Sequence, residues 1–211
     1  MLTIDDQHRY VLSNKRFNNS VSQIVSKYCP PFPKETIAEA IAKRDGGLAG
    51  DIMAKWDLNA KISTEFGQAI HKSIEYWIRY GEKPKHPYLA QVVEKWTLAF
   101  VTTGPVRPEI AVYSEGLSLC GTMDILEITG PRKAKIHDIK TNADLYKGGK
   151  KMLKPFQNLD ATPYNKYRLQ LSLYKHLMEL KGWEIEGICL WHWQEEWTEI
   201  KLEPLEVKNI L

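Results

Sequence analysis

One change of period divides this chain. Up to Gly104-Pro105 the apolar residues recur at helical spacing; beyond it they alternate or run together as strands do. Ser20 is placed to cap a helix over 21–28, with Val21, Ile24 and Val25 on one side, and Cys29-Pro30-Pro31-Phe32-Pro33 ends it. A second helix is expected over 35–44, with Ile37, Ala40 and Ile41 inward and Asp45-Gly46-Gly47 as its stop. A third is expected over 48–57. Ser63 or Thr64 then caps a fourth, 64–80, whose apolar side is Phe66, Ile70, Ile74, Trp77 and Ile78. A fifth covers 88–102, with Leu89, Val92, Val93, Trp96 and Phe100 as its stripe. The first 19 residues read as irregular or as a short strand around 10–12.

Past the switch, 110–113, 117–120, 123–128 and 134–139 read as strands separated by short turns. Residues 142–163, with Gly148-Gly149, Pro155 and Pro163, read as a loop or broken helix. A long helix is expected over 164–181, with Leu169, Leu173, Leu177 and Leu180 inward. A strand over 187–193 follows, then a hairpin at 194–196 and a partner strand over 197–202. This order gives an α/β fold: a central mixed sheet flanked by helices, with an N-terminal helical elaboration. A single domain over 1–211 is expected, 20–103 being its helical part and 104–211 its sheet core.

Composition narrows the class. The 211 residues carry 29 Lys+Arg against 26 Asp+Glu, a net charge of +3, and 43% are hydrophobic, the balance of a globular protein with a real core. No apolar stretch approaches the roughly 20 residues that span a bilayer, and the first ten residues hold no apolar leader, so an intracellular protein without membrane contact is expected. Cys29, Cys120 and Cys189 are widely separated and odd in number, which argues against a disulfide framework and a four-thiolate site.

The chemistry concentrates in His137-Asp138-Ile139-Lys140-Thr141. On a strand, Asp138 and Lys140 point the same way. A carboxylate and an ammonium side by side suit a hard cation and a developing phosphate charge, although a lone Asp-x-Lys far more often makes a surface ion pair. Asp124 lies on the preceding strand, among Met123, Ile125 and Leu126. An acid within such a buried run needs a partner, and pairing across 129–133 brings Asp124 near Asp138. His71 shares a helix side with Gly67, Ile74 and Ile78, with Glu75 one turn on; it is either a ligand or a hydrogen-bonded interior histidine. Gln170 and Tyr174 are again one turn apart, and a glutamine among leucines needs a specific partner.

In order and spacing, the set Gly67-x-x-x-His71-x-x-x-Glu75, Gly121-x-x-Asp124, Asp138-x-Lys140 and Gln170-x-x-x-Tyr174 resembles the RecB-like exonuclease branch of the PD-(D/E)XK nuclease superfamily. The resemblance runs from about residue 20 to 193. It implies a restriction-endonuclease-like core with Asp124 and Asp138 binding Mg²⁺ or Mn²⁺. The carbonyl of Ile139 and the His71 imidazole would complete the metal shell. Lys140 would position the attacking water, and Gln170 and Tyr174 would organise the site. Glu109 fits the acid that often precedes the first catalytic strand. Two departures stand out. Met123 replaces the proline of the name motif. Cys29 resembles the early cysteine of iron–sulfur relatives, but only Cys189 lies late, so no iron–sulfur cluster is expected.

The implied activity is hydrolysis of DNA at single-stranded or free ends, in replication, recombination or repair. A structure-selective or nicking endonuclease and a non-catalytic DNA-binding module are the alternatives, and RNA is a further possible substrate. Lys147, Lys150, Lys151, Lys154, Lys166 and Arg168 form either a phosphate-contacting rim or a solvated charge run. Phe32, Trp56 and Phe156 are candidates to stack on bases, and residues 33–60 are candidates for an arch over a threaded strand.

Overall fold

The computed structural model describes residues 2–4, 10–12 and 15–211. A small antiparallel sheet comes first, β1 (Leu2–Ile4), β2 (Tyr10–Leu12) and β3 (Lys15–Arg16). The expected strand around 10–12 is therefore present.

The main body is a six-stranded mixed sheet. Its strands are β4 (Asn19–Ser20), β5 (Val106–Ser114), β6 (Leu119–Gly130), β7 (Lys133–Lys140), β8 (Glu184–Gln194) and β9 (Glu196–Leu202). Strand β6 is central: it pairs antiparallel with β5 and β7, and its start pairs parallel with β4. Strand β8 runs parallel to β7, so the chain must cross over between them, and β9 returns antiparallel.

Helices close both faces. On one, α1 (Val21–Lys27) and α5 (Pro163–Glu179) pack with Met123, Leu126, Ile136, Ile188 and Leu190 of the sheet. On the other, α3 (Ala49–Tyr80) and α4 (Pro87–Ala99) pack with Ile125, Ile139, Trp191 and Trp193. Helix α2 (Lys34–Asp45) lies against α3. Because α1 belongs to the sheet core, the helical part and the sheet part are interleaved rather than consecutive.

Local chemistry sets the boundaries. Ser20 starts α1 through a reciprocal cap: its hydroxyl accepts from Gln23 N–H at 3.2 Å, and the Gln23 side chain accepts from Ser20 N–H at 2.7 Å. The two helices expected over 48–57 and 64–80 are one helix of 32 residues, about 48 Å long. Residues 58–62 hold no glycine or proline to break it, and Ser63 bonds back to the Asn59 carbonyl at 2.9 Å instead of capping. Gly81 in the left-handed conformation ends it.

Strands 117–120 and 123–128 likewise merge into β6, with Leu117 left outside. Gly121 does not break the strand but makes room: a Cβ there would sit 2.7 Å from the Tyr174 ring of α5. In α2 the inward residue is Ala38 rather than Ala40, which is exposed. Helix α5 buries Leu169, Leu173 and Leu177, but it stops at Glu179 and leaves Leu180 in solvent; Leu171 and Met178 complete its core face. The loop after β7 folds back on itself through Met152 N–H and the Leu159 carbonyl and buries Phe156 against Tyr28. Among the described residues, no helix is long and apolar enough to cross a membrane.

Candidate active site

Asp124 and Asp138 come from adjacent strands. The register pairs Ile125 with His137, so the next step brings Asp124 opposite Asp138. Asp124 accepts from the Ile139 N–H at 2.8 Å, and its other contact is His71 Nδ1 at 3.3 Å. That imidazole comes from α3, whose Ile70 and Ile74 anchor it to the sheet. Burial alone would raise the Asp124 carboxyl; Lys140, His71 and the Ile139 N–H more than offset it and hold it well below the usual carboxylate range. Burial works against the His71 charge too, but Asp124 prevails and the imidazole is shifted upward.

Asp138 is only 2% exposed. Lys140 Nζ lies 2.6 Å from one of its oxygens, and apart from this ion-pair contact neither oxygen has a hydrogen-bond partner. Burial, reinforced by Asp124 and opposed by Lys140, pushes the carboxyl up to about 7. Burial also disfavours the Lys140 ammonium, but the two acids outweigh it and shift Lys140 upward, so it stays a cation. The ammonium lies 4.7 Å from the centre of the Tyr167 ring. The Tyr167 hydroxyl donates to Asn142 at 2.6 Å, and His192 Nε2 donates to the Asn142 carbonyl at 2.7 Å. The turn leaving β7 is thus tied down behind the lysine.

His71 and Lys140 open on a cleft of about 830 Å³ between α3 and the end of β7, with Asp138 buried and Asp124 partly buried behind it. His71, Ile139, Lys140 and Glu109 line it, with Phe66, Gly67 and Tyr167. Glu109 lies within β5, at φ 53°, where β5 passes Asp124. Burial and the Asp124 charge raise its carboxyl. Gly67 faces Thr141 so closely that a Cβ would stand 3.0 Å from that hydroxyl. Glu75 is not a loosely solvated residue: Lys72 at 2.7 Å and Arg79 at 2.8 Å hold it.

Gln170 and Tyr174 lie deeper along α5, the glutamine Nε2 3.4 Å from the Tyr174 hydroxyl, and neither lines the cleft. Tyr167, one turn earlier, takes that place; a tyrosine on an amphipathic helix carries no sign of it in the sequence. Among the basic residues, Lys147 and Lys154 are exposed, Lys166 is half-buried, and Lys150 reaches the Pro31 carbonyl at 3.4 Å. Lys151 pairs with Asp160 at 2.8 Å, and Arg168 donates to the Glu203 carbonyl, so both are engaged structurally. Phe156 is in the core and cannot stack on a base, whereas Phe32 is exposed beside Trp56. The three cysteines are free thiols; Cys29 lies just past α1 with its sulfur 3.3 Å from the Val25 carbonyl.

Among the described residues, the group of three metal-ligating side chains whose donor atoms all lie within 4.8 Å of one another is His137, Cys189 and Glu199, and not His71, Asp124 and Asp138. The latter three hold their charges in two contacts instead, His71 with Asp124 and Lys140 with Asp138.

No family model matches the chain, and no curated protein matches it. A solved structure described as the crystal structure of SSO0001 aligns over 67% of this chain and 68% of the other, with 17% identity and a TM-score of 0.34. A likeness of that size carries no argument.

Proposed function

We propose that this chain is a metal-dependent deoxyribonuclease of the PD-(D/E)XK kind, acting on single-stranded or free DNA ends. One observation carries the reading. Asp138 is buried beside a second acid, with Oδ2 met only by the Lys140 ammonium at 2.6 Å and Oδ1 without a partner, behind a cleft lined by His71 and Lys140. A carboxylate in that position is costly unless a cation completes it. Asp124, Asp138 and the Ile139 carbonyl offer the hard oxygen donors that Mg²⁺ or Mn²⁺ prefers, with His71 as a nitrogen donor. Such an ion supplies Lewis-acid polarisation of a phosphoryl oxygen and lowers the pKa of a bound water.

The remaining roles belong to the chain itself. Lys140, kept positive by its two acids and steadied by Tyr167, faces negative charge growing on a phosphate. Because it holds its proton, it stabilises charge rather than acting as a base. The Asp124 contact orients His71, and the Asn142 hydrogen bonds fix the turn that carries Thr141 into the cleft.

The test is a time course on end-labelled single- and double-stranded DNA oligonucleotides, with Mg²⁺ and with chelator. Cleavage is expected only with the cation. It should fall by a factor on the order of 10³ or more in Asp138→Ala and Lys140→Ala, while circular dichroism and DNA binding persist. Cleavage that survives both substitutions, or an inert wild-type protein under all these conditions, would falsify the assignment.

A further inference from the structure

We infer that the same sheet carries, beneath the end of α4, a second, softer metal site, a Zn²⁺-binding centre built from His137, Cys189 and Glu199. His137 and Cys189 stand side by side in the β7–β8 register, and Glu199 reaches them from β9. A ring nitrogen, a sulfur and a carboxylate oxygen from the three lie within 4.8 Å of one another. That spacing needs only small side-chain rotations to reach the roughly 2.0–2.3 Å bonds of tetrahedral zinc. The donor set is borderline-soft, unlike the acid-dominated set at Asp124 and Asp138, so the two sites select different ions.

The surroundings of His137 fix its tautomer. The indole N–H of Trp191 donates to His137 Nδ1 at 3.2 Å. An indole can only donate, so Nδ1 carries the lone pair and Nε2 carries the proton. That proton goes to Glu127 Oε2 at 3.1 Å. Glu127 is itself fixed, its other oxygen accepting from Thr103 N–H at 2.8 Å and from the Thr103 hydroxyl at 3.0 Å. A carboxylate that fixes a histidine's tautomer in this way is the usual outer shell of a zinc ligand, and Nδ1 is held by the indole N–H until a metal displaces it. Binding exchanges the indole hydrogen bond for a Zn–N bond. The thiol proton leaves to solvent as the Zn–S bond forms.

The three donors also line a cavity of about 590 Å³. Three protein ligands beside open space leave a fourth position for water or a small ligand. Because Asp138 follows His137 directly on β7, the proposed centre backs onto the candidate active site across one strand.

The experiment titrates the metal-free, full-length protein with Co²⁺ and then Zn²⁺. One equivalent of Co²⁺ is expected to give a near-ultraviolet thiolate-to-cobalt band that Zn²⁺ abolishes. Cys189→Ser should remove the band. Glu199→Gln, an exposed change that leaves the fold alone, and Glu127→Gln should each weaken binding about 10-fold or more. Asp138→Asn should keep the band, which separates this centre from the acidic one. The inference fails if folded wild-type protein gives no such band. It fails equally if the band persists in Cys189→Ser, or if Glu199→Gln binds as tightly as wild type.

Discussion

Asp138 is where one residue's environment has the largest measurable consequence. Its carboxyl titrates near 7 in the folded chain, against an ordinary value of 3.8. Between those pH values the folded protein holds a proton that the unfolded chain releases. Stability from that proton is complete below about pH 4 and disappears as pH rises through about 7. Asp124 runs the other way: its depressed folded value contributes stability above about pH 4, lost only in stronger acid. In chelator, wild-type protein should therefore lose more thermal stability between pH 5 and pH 8 than Asp138→Asn, in which Lys140 keeps Asp124 as counter-charge. The variant should gain on the order of 1–3 kcal/mol at pH 8. Melting curves at the two pH values decide it, and parallel losses in both proteins would contradict the argument. Asp124, the neighbour of Asp138, is legible in the sequence, because a charged residue within a run of apolar neighbours demands a partner; Asp138 is legible through its Asp-x-Lys spacing. Its ion pair with Lys140 follows from strand alternation alone. Tyr167 was not legible, since a tyrosine on an amphipathic helix carries no mark of which side chain will lie over it.

At the scale of elements, the strand period and the turn chemistry are readable, and so is the cap at Ser20, though not the one at Thr162. Where the reading failed, it placed breaks that the chain does not contain. Ser63 was read as a cap because serine favours that role, yet with no glycine or proline nearby, helix propagation costs less than stopping. Gly121 falls between two expected strands, yet it sits inside β6, where the tyrosine above it requires its missing side chain. Gly67 repeats this logic at the cleft. Its Cβ-less surface lets α3 approach Thr141, and that approach delivers His71 to Asp124. In Gly67→Ala the added methyl forces the hydroxyl or the helix to move by a few tenths of an ångström. The better helix propensity of alanine, up to about 1 kcal/mol, offsets the crowding. Urea denaturation should then place the variant within about 1 kcal/mol of wild type, while single-turnover cleavage slows about tenfold or more because the imidazole is misplaced. An unchanged rate would show that α3 does not set the geometry of the cleft.

For the whole molecule, the layout bears on how a strand reaches the cleft. The arch expected over 33–60 is in fact α2 lying against the first half of α3, joined to it by the Lys34–Asp57 ion pair and the Phe32–Trp56 ring contact. It is one helical projection rather than a bridge closed at both ends. The same α3 continues into Ile62, Phe66 and His71 at the cleft wall, so a strand entering there meets exposed apolar and aromatic surface before it meets the acids. Unpaired bases gain from stacking on such a surface, by about 1–3 kcal/mol each, whereas a duplex hides its base faces. On the proposed reading, a free single-stranded end is the substrate that such an entrance favours. Equal concentrations of linear and circular single-stranded DNA of the same sequence put this to the test. The linear form should be degraded at least about tenfold faster, with Phe66→Ala slowing it and leaving Mg²⁺ dependence intact. Efficient cutting of the circle would exclude an end requirement and move the activity to an endonuclease that uses the same acids. A duplex cut as fast as the linear single strand would remove the role given to the aromatic wall.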